Sequence, residues 1–299
     1  MATMAYAAVA LALDAGAGPL SAQEAPLAAT AAPKPATSAA NINITPRRLI
    51  FDRNKRADAV YVFNQGNAPV TVDVALIDNV MLPSGEILPV ARAAEKGPEA
   101  VAIAATVHSA VPLLIAAPSR LTLPPGQGRA IRIRASLPDT SDVAEYRTHL
   151  TVTSVPSPDT GLTAEQAANP GGGELVMRVQ ALFGVSIPLI VRTAVADATA
   201  SFGTITESQD GNTPTLEVPV RRQGATSLYG NIEVRTDRST TGEVIGLVRG
   251  LGVYPEVSER HVRIPLSRSL HKGETVKVTY FSEAGKPGSA FASGTFTAP

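Results

Sequence analysis

Between Leu175 and Ile187 the chain reads LVMRVQALFGVSI. Its odd-numbered positions, Leu175, Met177, Val179, Ala181, Phe183, Val185 and Ile187, are all apolar, while the even ones include Arg178, Gln180, Gly184 and Ser186. Successive side chains point to opposite faces on a β-strand, so this period of two predicts a strand with one apolar face. Thirteen such positions at about 3.3 Å each run to roughly 40 Å, whereas strands commonly hold about five or six residues. A strand of that length outruns the sheet of one small domain. What its surplus pairs with is the question the strand raises, because an open edge of that length would be an aggregation hazard.

The rest of the chain repeats the style in shorter runs. AVYVF (Ala59 to Phe63) leads through NQGN into PVTVDVALI (Pro69 to Ile77), a hairpin signal. LTLPPGQGRAIRIRA (Leu121 to Ala135) turns at Pro124, Pro125 and Gly126, and HLTVTSV (His149 to Val155) alternates again. The stretch from Pro156 to Gly173 has no apolar period and reads as a long mobile loop ahead of the opening strand. LEVPVRR (Leu216 to Arg222), IEVRT (Ile232 to Thr236), HVRIPL (His261 to Leu266), VKVTYF (Val276 to Phe281) and FASGTF (Phe291 to Phe296) are the later strand candidates. The nearest approach to a helix, Ala91 to Ala105, is broken by Gly97 and Pro98. Many short strands with turn chemistry between them predict an all-β chain of two β-sandwiches. The boundary is expected just after Arg192, giving an N-terminal domain over residues 41–195 and a C-terminal one over 196–299.

Composition excludes several functions. Lys plus Arg and Asp plus Glu are both 26, so no net field points to nucleic acid or an anionic membrane. The absence of cysteine removes disulfides, thiolate metal sites and cysteine nucleophiles together. His108, His149, His261 and His271 are scattered, without metal-ligand spacing, and read as surface or strand histidines. GLGVYP (Gly250 to Pro255) has Pro255 where a dinucleotide fingerprint needs its third glycine and reads as a turn. GGGE (Gly171 to Glu174) and GVSIP (Gly184 to Pro188) each lack part of the phosphate-loop and nucleophile-elbow patterns. With no paired acid and base, the chain reads as a non-enzyme that needs no metal and no cofactor.

Residues 1–40 read as an export signal followed by an Ala/Pro-rich disordered segment. An apolar run from Ala5 to Leu13 precedes candidate cleavage points near Ala22 or Ala25, although no Lys or Arg precedes the run and Asp14 interrupts it. The run is far shorter than the about 20 residues a spanning helix needs, so the mature protein is expected to be soluble and exported, with no membrane span.

From Thr45 the sequence resembles a specific family. TPRRLIFDRNKRADAVYVFNQGNAPVTVDVALID (Thr45 to Asp78), APSRLTLPPGQGRAIRIR (Ala117 to Arg134), EYRTHLTV (Glu145 to Val152) and Leu175 to Arg192 resemble, in order and spacing, the first domain of the periplasmic pilus-assembly chaperones of Gram-negative bacteria. The resemblance implies two immunoglobulin-like sandwiches in a boomerang arrangement, a periplasmic location, pilin or fimbrial subunits as cargo and an outer-membrane usher as the recipient. It also implies that the long strand is the family's G1, whose edge is donated to a subunit that lacks its own final strand. Main-chain hydrogen bonds then supply affinity while alternate side chains fill the subunit's groove. The donated residues are Met177, Val179, Ala181 and Phe183, with Leu175 at the margin; Val185 and Ile187 are expected in the domain's own core.

The resemblance further implies a basic anchor for the subunit's terminal carboxylate. RLIFD (Arg48 to Asp52) aligns Arg48 with the family arginine, a guanidinium suited to bidentate capture. The family lysine falls on Pro188, so either another cation such as Arg147 substitutes, or one arginine acts with backbone amides. That departure, with the absence of cysteine, points to a divergent or archaic branch. Arg192 matches a family arginine that stabilises the junction between domains, with Glu145 and Asp197 as candidate partners. The rival reading is a tandem immunoglobulin-like structural module of an exported adhesin or envelope protein, with the long strand fully internal.

Overall fold

The computed structural model describes residues 41–155, 182–236, 242–283 and 290–299. The expected export signal and the loop from Pro156 to Gly173 lie outside the described residues.

The first sandwich is built from β1 (Ile42–Thr45), β2 (Leu49–Phe51), β3 (Ala57–Asn64), β4 (Val70–Ile77), β7 (Leu114–Ala117), β8 (Arg120–Leu123), β9 (Gly128–Ala135), β10 (Glu145–Ser154) and β11 (Gly184–Arg192). One sheet has the order β1-β3-β9-β7 and the other β2-β11-β10-β4-β8. The chain changes sheet between β1 and β2 and again between β7 and β8, at bends carrying the cis bonds Thr45–Pro46 and Ala117–Pro118. Alternation decides the core: Val60, Val62, Ile131, Ile133, Leu150 and Val152 point between the sheets and are buried. NQGN does not close a hairpin as expected: β3 pairs β1 and β9 while β4 pairs β10 and β8 in the facing sheet, so the stretch is a crossover between sheets. There Asn64, itself fully buried, donates to Ala68 O at 2.8 Å and Leu123 O at 3.1 Å and accepts the Gly66 N–H at 2.9 Å. Its short amide thus satisfies main-chain groups that the turn would otherwise orphan.

Between β4 and β7 the chain makes a hairpin of β5 (Asn79–Met81) and β6 (Ile87–Pro89), a 3₁₀ turn over Val90–Lys96 and a seven-residue helix, α1 (Pro98–Ala104). Gly97, at φ 101°, separates the two helical pieces, and Pro98 opens α1, where its missing N–H costs nothing. Val80, Leu88, Ala93, Ala100 and Ala104 form a small core of their own.

The second sandwich comprises β12 (Thr199–Phe202), β13 (Thr206–Asp210), β14 (Thr213–Gln223), β15 (Leu228–Arg235), β16 (Val244–Val253), β17 (Glu259–Pro265), β18 (Thr275–Ser282) and β19 (Ala290–Thr297). β14 pairs β12, β13 and β17; the facing sheet runs β16-β15-β18-β19. Leu216, Val218, Ile232, Val253, Ile264 and Tyr280 fill the space between them. Tyr280 is fully buried and donates its hydroxyl to Leu251 O at 2.9 Å, which satisfies its one polar atom.

The architecture is therefore two immunoglobulin-like sandwiches, the first ending at Arg192 and the second beginning at Thr199. One reading from sequence is corrected. GLGVYP is not simply a turn: Gly250 to Val253 complete β16, and only from Tyr254 does the chain turn, closed by Val257 N–H donating to Tyr254 O at 3.2 Å. The pairing with β15 slips between Gly230 and Ile232, and Gly250 sits at φ 67°, so glycine and a bulge hide the strand's alternation.

Candidate functional site

The site begins with the edge of β11. Along β10 and β11 the register pairs Thr153 with Gly184 and Glu145 with Arg192. The ladder closes with Ser154 N–H donating to Phe183 O at 2.8 Å and Thr193 N–H donating to Ala144 O at 3.1 Å. Both lie at odd positions of the β11 segment, so odd residues turn their main chain toward β10 and even ones turn it to the opposite flank. That flank is covered by β2 only at Leu189 to Val191. Over Gly184, Ser186 and Pro188 no strand among the described residues pairs with it. Proline is tolerated at 188 because the N–H it lacks would point outward, away from the ladder.

Side chains divide into two kinds along the described part of this strand. Ile187, Leu189 and Val191 are buried in the first core, with Val185 packed against it. Phe183 continues the inward series at the sandwich's rim and is 40% exposed; its N–H donates to Ser154 Oγ at 2.9 Å. Leu182 beside it is also exposed. Leu175, Met177, Val179 and Ala181, expected as donated residues, lie outside the described residues.

Arg48 stands immediately before β2, next to that open flank. Its guanidinium lies 4.5 Å from the centre of the Tyr229 ring and donates to Ser227 Oγ at 3.1 Å, while its buried Nε has no partner among the described residues. Burial lowers the Arg48 pKa, with Arg192 pushing the same way and Tyr254 and Glu145 opposing. Such a group stays charged and has hydrogen-bonding capacity to spare. Arg47 is exposed to solvent.

Arg192 and Glu145 face each other across β10 and β11, with Arg192 Nε donating to Glu145 Oε2 at 2.9 Å. The same oxygen accepts the Ser227 N–H and hydroxyl, both at 3.1 Å, which ties the pair to the second sandwich. Asp197, the other candidate partner of Arg192, instead accepts from Ala225 N–H, Thr226 N–H and the Thr226 hydroxyl at 3.0 to 3.1 Å, capping the turn before β15.

Arg147 does not stand in an open anchor. It is buried on β10 with its guanidinium 3.7 Å from the centre of the Tyr254 ring, and it donates to Asn79 O at 2.9 Å and to Glu256 Oε1. A desolvated guanidinium needs its charge matched, and Glu256 does so from within the molecule. Its neighbour on the same strand face, His149, is 2% exposed, edge-on to Tyr254 at 6.4 Å, with both ring nitrogens unpartnered among the described residues. Burial, with Arg147 adding to it, pushes the His149 pKa down to about 3, so the imidazole is neutral.

Ser227, Tyr229, Tyr254 and Glu256 were not singled out from sequence. All four come from the second sandwich, in or beside its turns, and no periodicity links them to Arg48. Among the described residues no group of His, Asp and Glu could hold a metal ion, and no helix is long and apolar enough to cross a membrane.

No family model and no curated protein matches the sequence. Solved structures do show similarity. The chain is similar to the chaperone YadV, with 13% identity, a TM-score of 0.43, and coverage of 86% of this chain and 98% of that one. It is similar to the SafB chaperone of Salmonella enterica, solved with the SafA pilin, with 15% identity, a TM-score of 0.42 and coverage of 88% and 98%. A third is the chaperone CsuC of Acinetobacter baumannii, solved with the CsuE tip adhesion subunit of archaic Csu pili, with 14% identity, a TM-score of 0.41 and coverage of 87% and 98%.

Proposed function

We propose that this chain is a periplasmic chaperone that captures pilin-like subunits by lending them the edge of its long strand, and passes them to an outer-membrane usher. The observation that carries the reading is the flank of β11 from Gly184 to Pro188, which has main-chain groups directed outward and no strand partner among the described residues, beside the exposed Phe183. An added strand would take hydrogen bonds from this edge, and the apolar residues on alternate positions from Met177 to Phe183 would enter its groove. Each large side chain buried this way contributes about 1.5 to 3 kcal/mol, more than a rim charge supplies.

Arg48 is the anchor for the subunit's terminal carboxylate in this reading. It acts without Arg147, whose charge is matched by Glu256. The test is co-expression with a pilin-like subunit. Val179→Asp combined with Phe183→Asp abolishes the complex while leaving the chaperone folded. Complex formation at the parent level in that variant rejects donation by this face and leaves the tandem structural module as the better account.

A further inference from the structure

One stretch of main chain, residues 193–198, joins the two sandwiches. Domains connected this way move relative to one another by default unless a substantial apolar contact holds them. The hairpin of β5 and β6 makes such a contact from an unexpected side. It is encoded between two strands of the first sandwich, yet Met81 is 1% exposed within the core of the second, in the cluster that contains Leu216, Tyr254 and Val257.

The main chain of the hairpin is bonded to the second sandwich as well. Met81 N–H donates to Glu256 Oε1 at 2.9 Å, and His261 N–H donates to Pro83 O at 2.7 Å. At the tip, Gly85 adopts φ +85°, and a Cβ there would stand 2.6 Å from Nε of Arg260 on β17. The arginine thus occupies the space that any side chain at 85 would need. Glu256 is the node of the arrangement, because the oxygen that holds Met81 also receives Arg147 of β10, and Arg147 donates in turn to Asn79 O at the start of the hairpin. The Arg147 and Glu256 side chains are 4% and 3% exposed. A buried pair of this kind tolerates little displacement of either partner, since separation would leave both charges out of water and unpaired.

We propose that residues 79–89 are a brace, docked permanently on the second sandwich, which makes the two sandwiches one mechanical and thermodynamic unit and keeps Arg48 at its spacing from Ser227 and Tyr229. The inference goes beyond the proposed function and is independent of what binds there.

The chain contains no cysteine, so a label pair can be introduced cleanly. Arg132→Cys and Ser293→Cys, both exposed and one on each sandwich, carry nitroxides for pulsed electron spin distance measurement, alongside calorimetry on the unlabelled protein. The parent is expected to give one narrow distance and a single melting transition. Gly85→Val, which strains the left-handed tip and displaces the Arg260 guanidinium, and Met81→Ala, which removes the anchor, are each expected to broaden the distribution about twofold and to split the melt in two, with unchanged far-ultraviolet circular dichroism. If Gly85→Val does not fold, Met81→Ala decides alone. A parent-like width and single transition in the folded variants overturn the brace, as does a parent that already shows a broad distribution and two transitions.

Discussion

Glu145 and Arg192 are opposite one another on neighbouring strands of the first sandwich, bonded at 2.9 Å, and the oxygen that joins them also holds Ser227 of the second. The Glu145 side chain is 1% exposed. Glu145→Ala leaves a mostly buried guanidinium uncompensated and removes the acceptor of the Ser227 N–H. A loss of about 3 to 5 kcal/mol is expected in urea unfolding, with the midpoint moved down. A loss below about 1 kcal/mol would mean that water already screens the pair.

Arg48 is expected to divide stability from binding. Arg48→Ala removes the contacts with Ser227 and Tyr229 but leaves both cores intact, so the protein stays folded. Capture of a pilin-like subunit should fall by about tenfold or more, a difference of about 1.4 kcal/mol in a titration. Arg48→Lys should not restore it, because an ammonium cannot grip a carboxylate bidentately. Full recovery by lysine would show that point charge alone suffices.

The strand that carries the site has two kinds of apolar residue, and truncation distinguishes them. Ile187 is 3% exposed in the first core, so Ile187→Ala should cost about 2 to 5 kcal/mol of folding stability. Phe183 is 40% exposed, and Phe183→Ala should change stability by no more than about 0.5 kcal/mol while weakening subunit capture. Equal stability losses in the two variants would place Phe183 in the core.

His149 makes the fold acid-sensitive. Its folded pKa is about 3, against an ordinary 6.5, so below about pH 6.5 the unfolded chain takes up a proton that the folded chain refuses. Its contribution is complete above that value and declines as pH falls toward 3, by on the order of 4 to 5 kcal/mol in all. Glu274, held by Arg268 and pushed down to about 2, acts in the same direction in a lower window, losing its contribution as pH falls below 4.5. Denaturation followed from pH 7 to 4.5 should therefore flatten in a folded His149→Gln variant. An unchanged slope there would assign the sensitivity elsewhere.

Alternation made most strands legible: β3, β4, β9, β14, β17 and β18 each carry apolar residues every second position, and the turn residues mark where they stop. Strands without that signal were not legible. β5 is buried at all three positions because Met81 enters the second core while Val80 enters the small core of the hairpin and α1, and β16 has its period interrupted by Gly246, Gly250 and Gly252. At the site, strand position made Glu145 legible as a candidate partner of Arg192. The commitment of Arg147 was not, because it depends on Glu256, more than a hundred residues away on a turn of the other sandwich. Nor was the burial of His149, whose cover is Tyr254, equally distant in the chain.

In the proposed reading, the proline in β11 would limit how far a guest strand could be held. Along the uncovered flank Gly184 and Ser186 can each offer an amide proton, and Pro188 has none to give. The final main-chain donor before the arginine thus comes from Ser186, and a polypeptide docked as proposed would meet no further host amide on that flank before Arg48. In the proposed reading, the Arg48 guanidinium is therefore the donor left for a guest's terminal carboxylate.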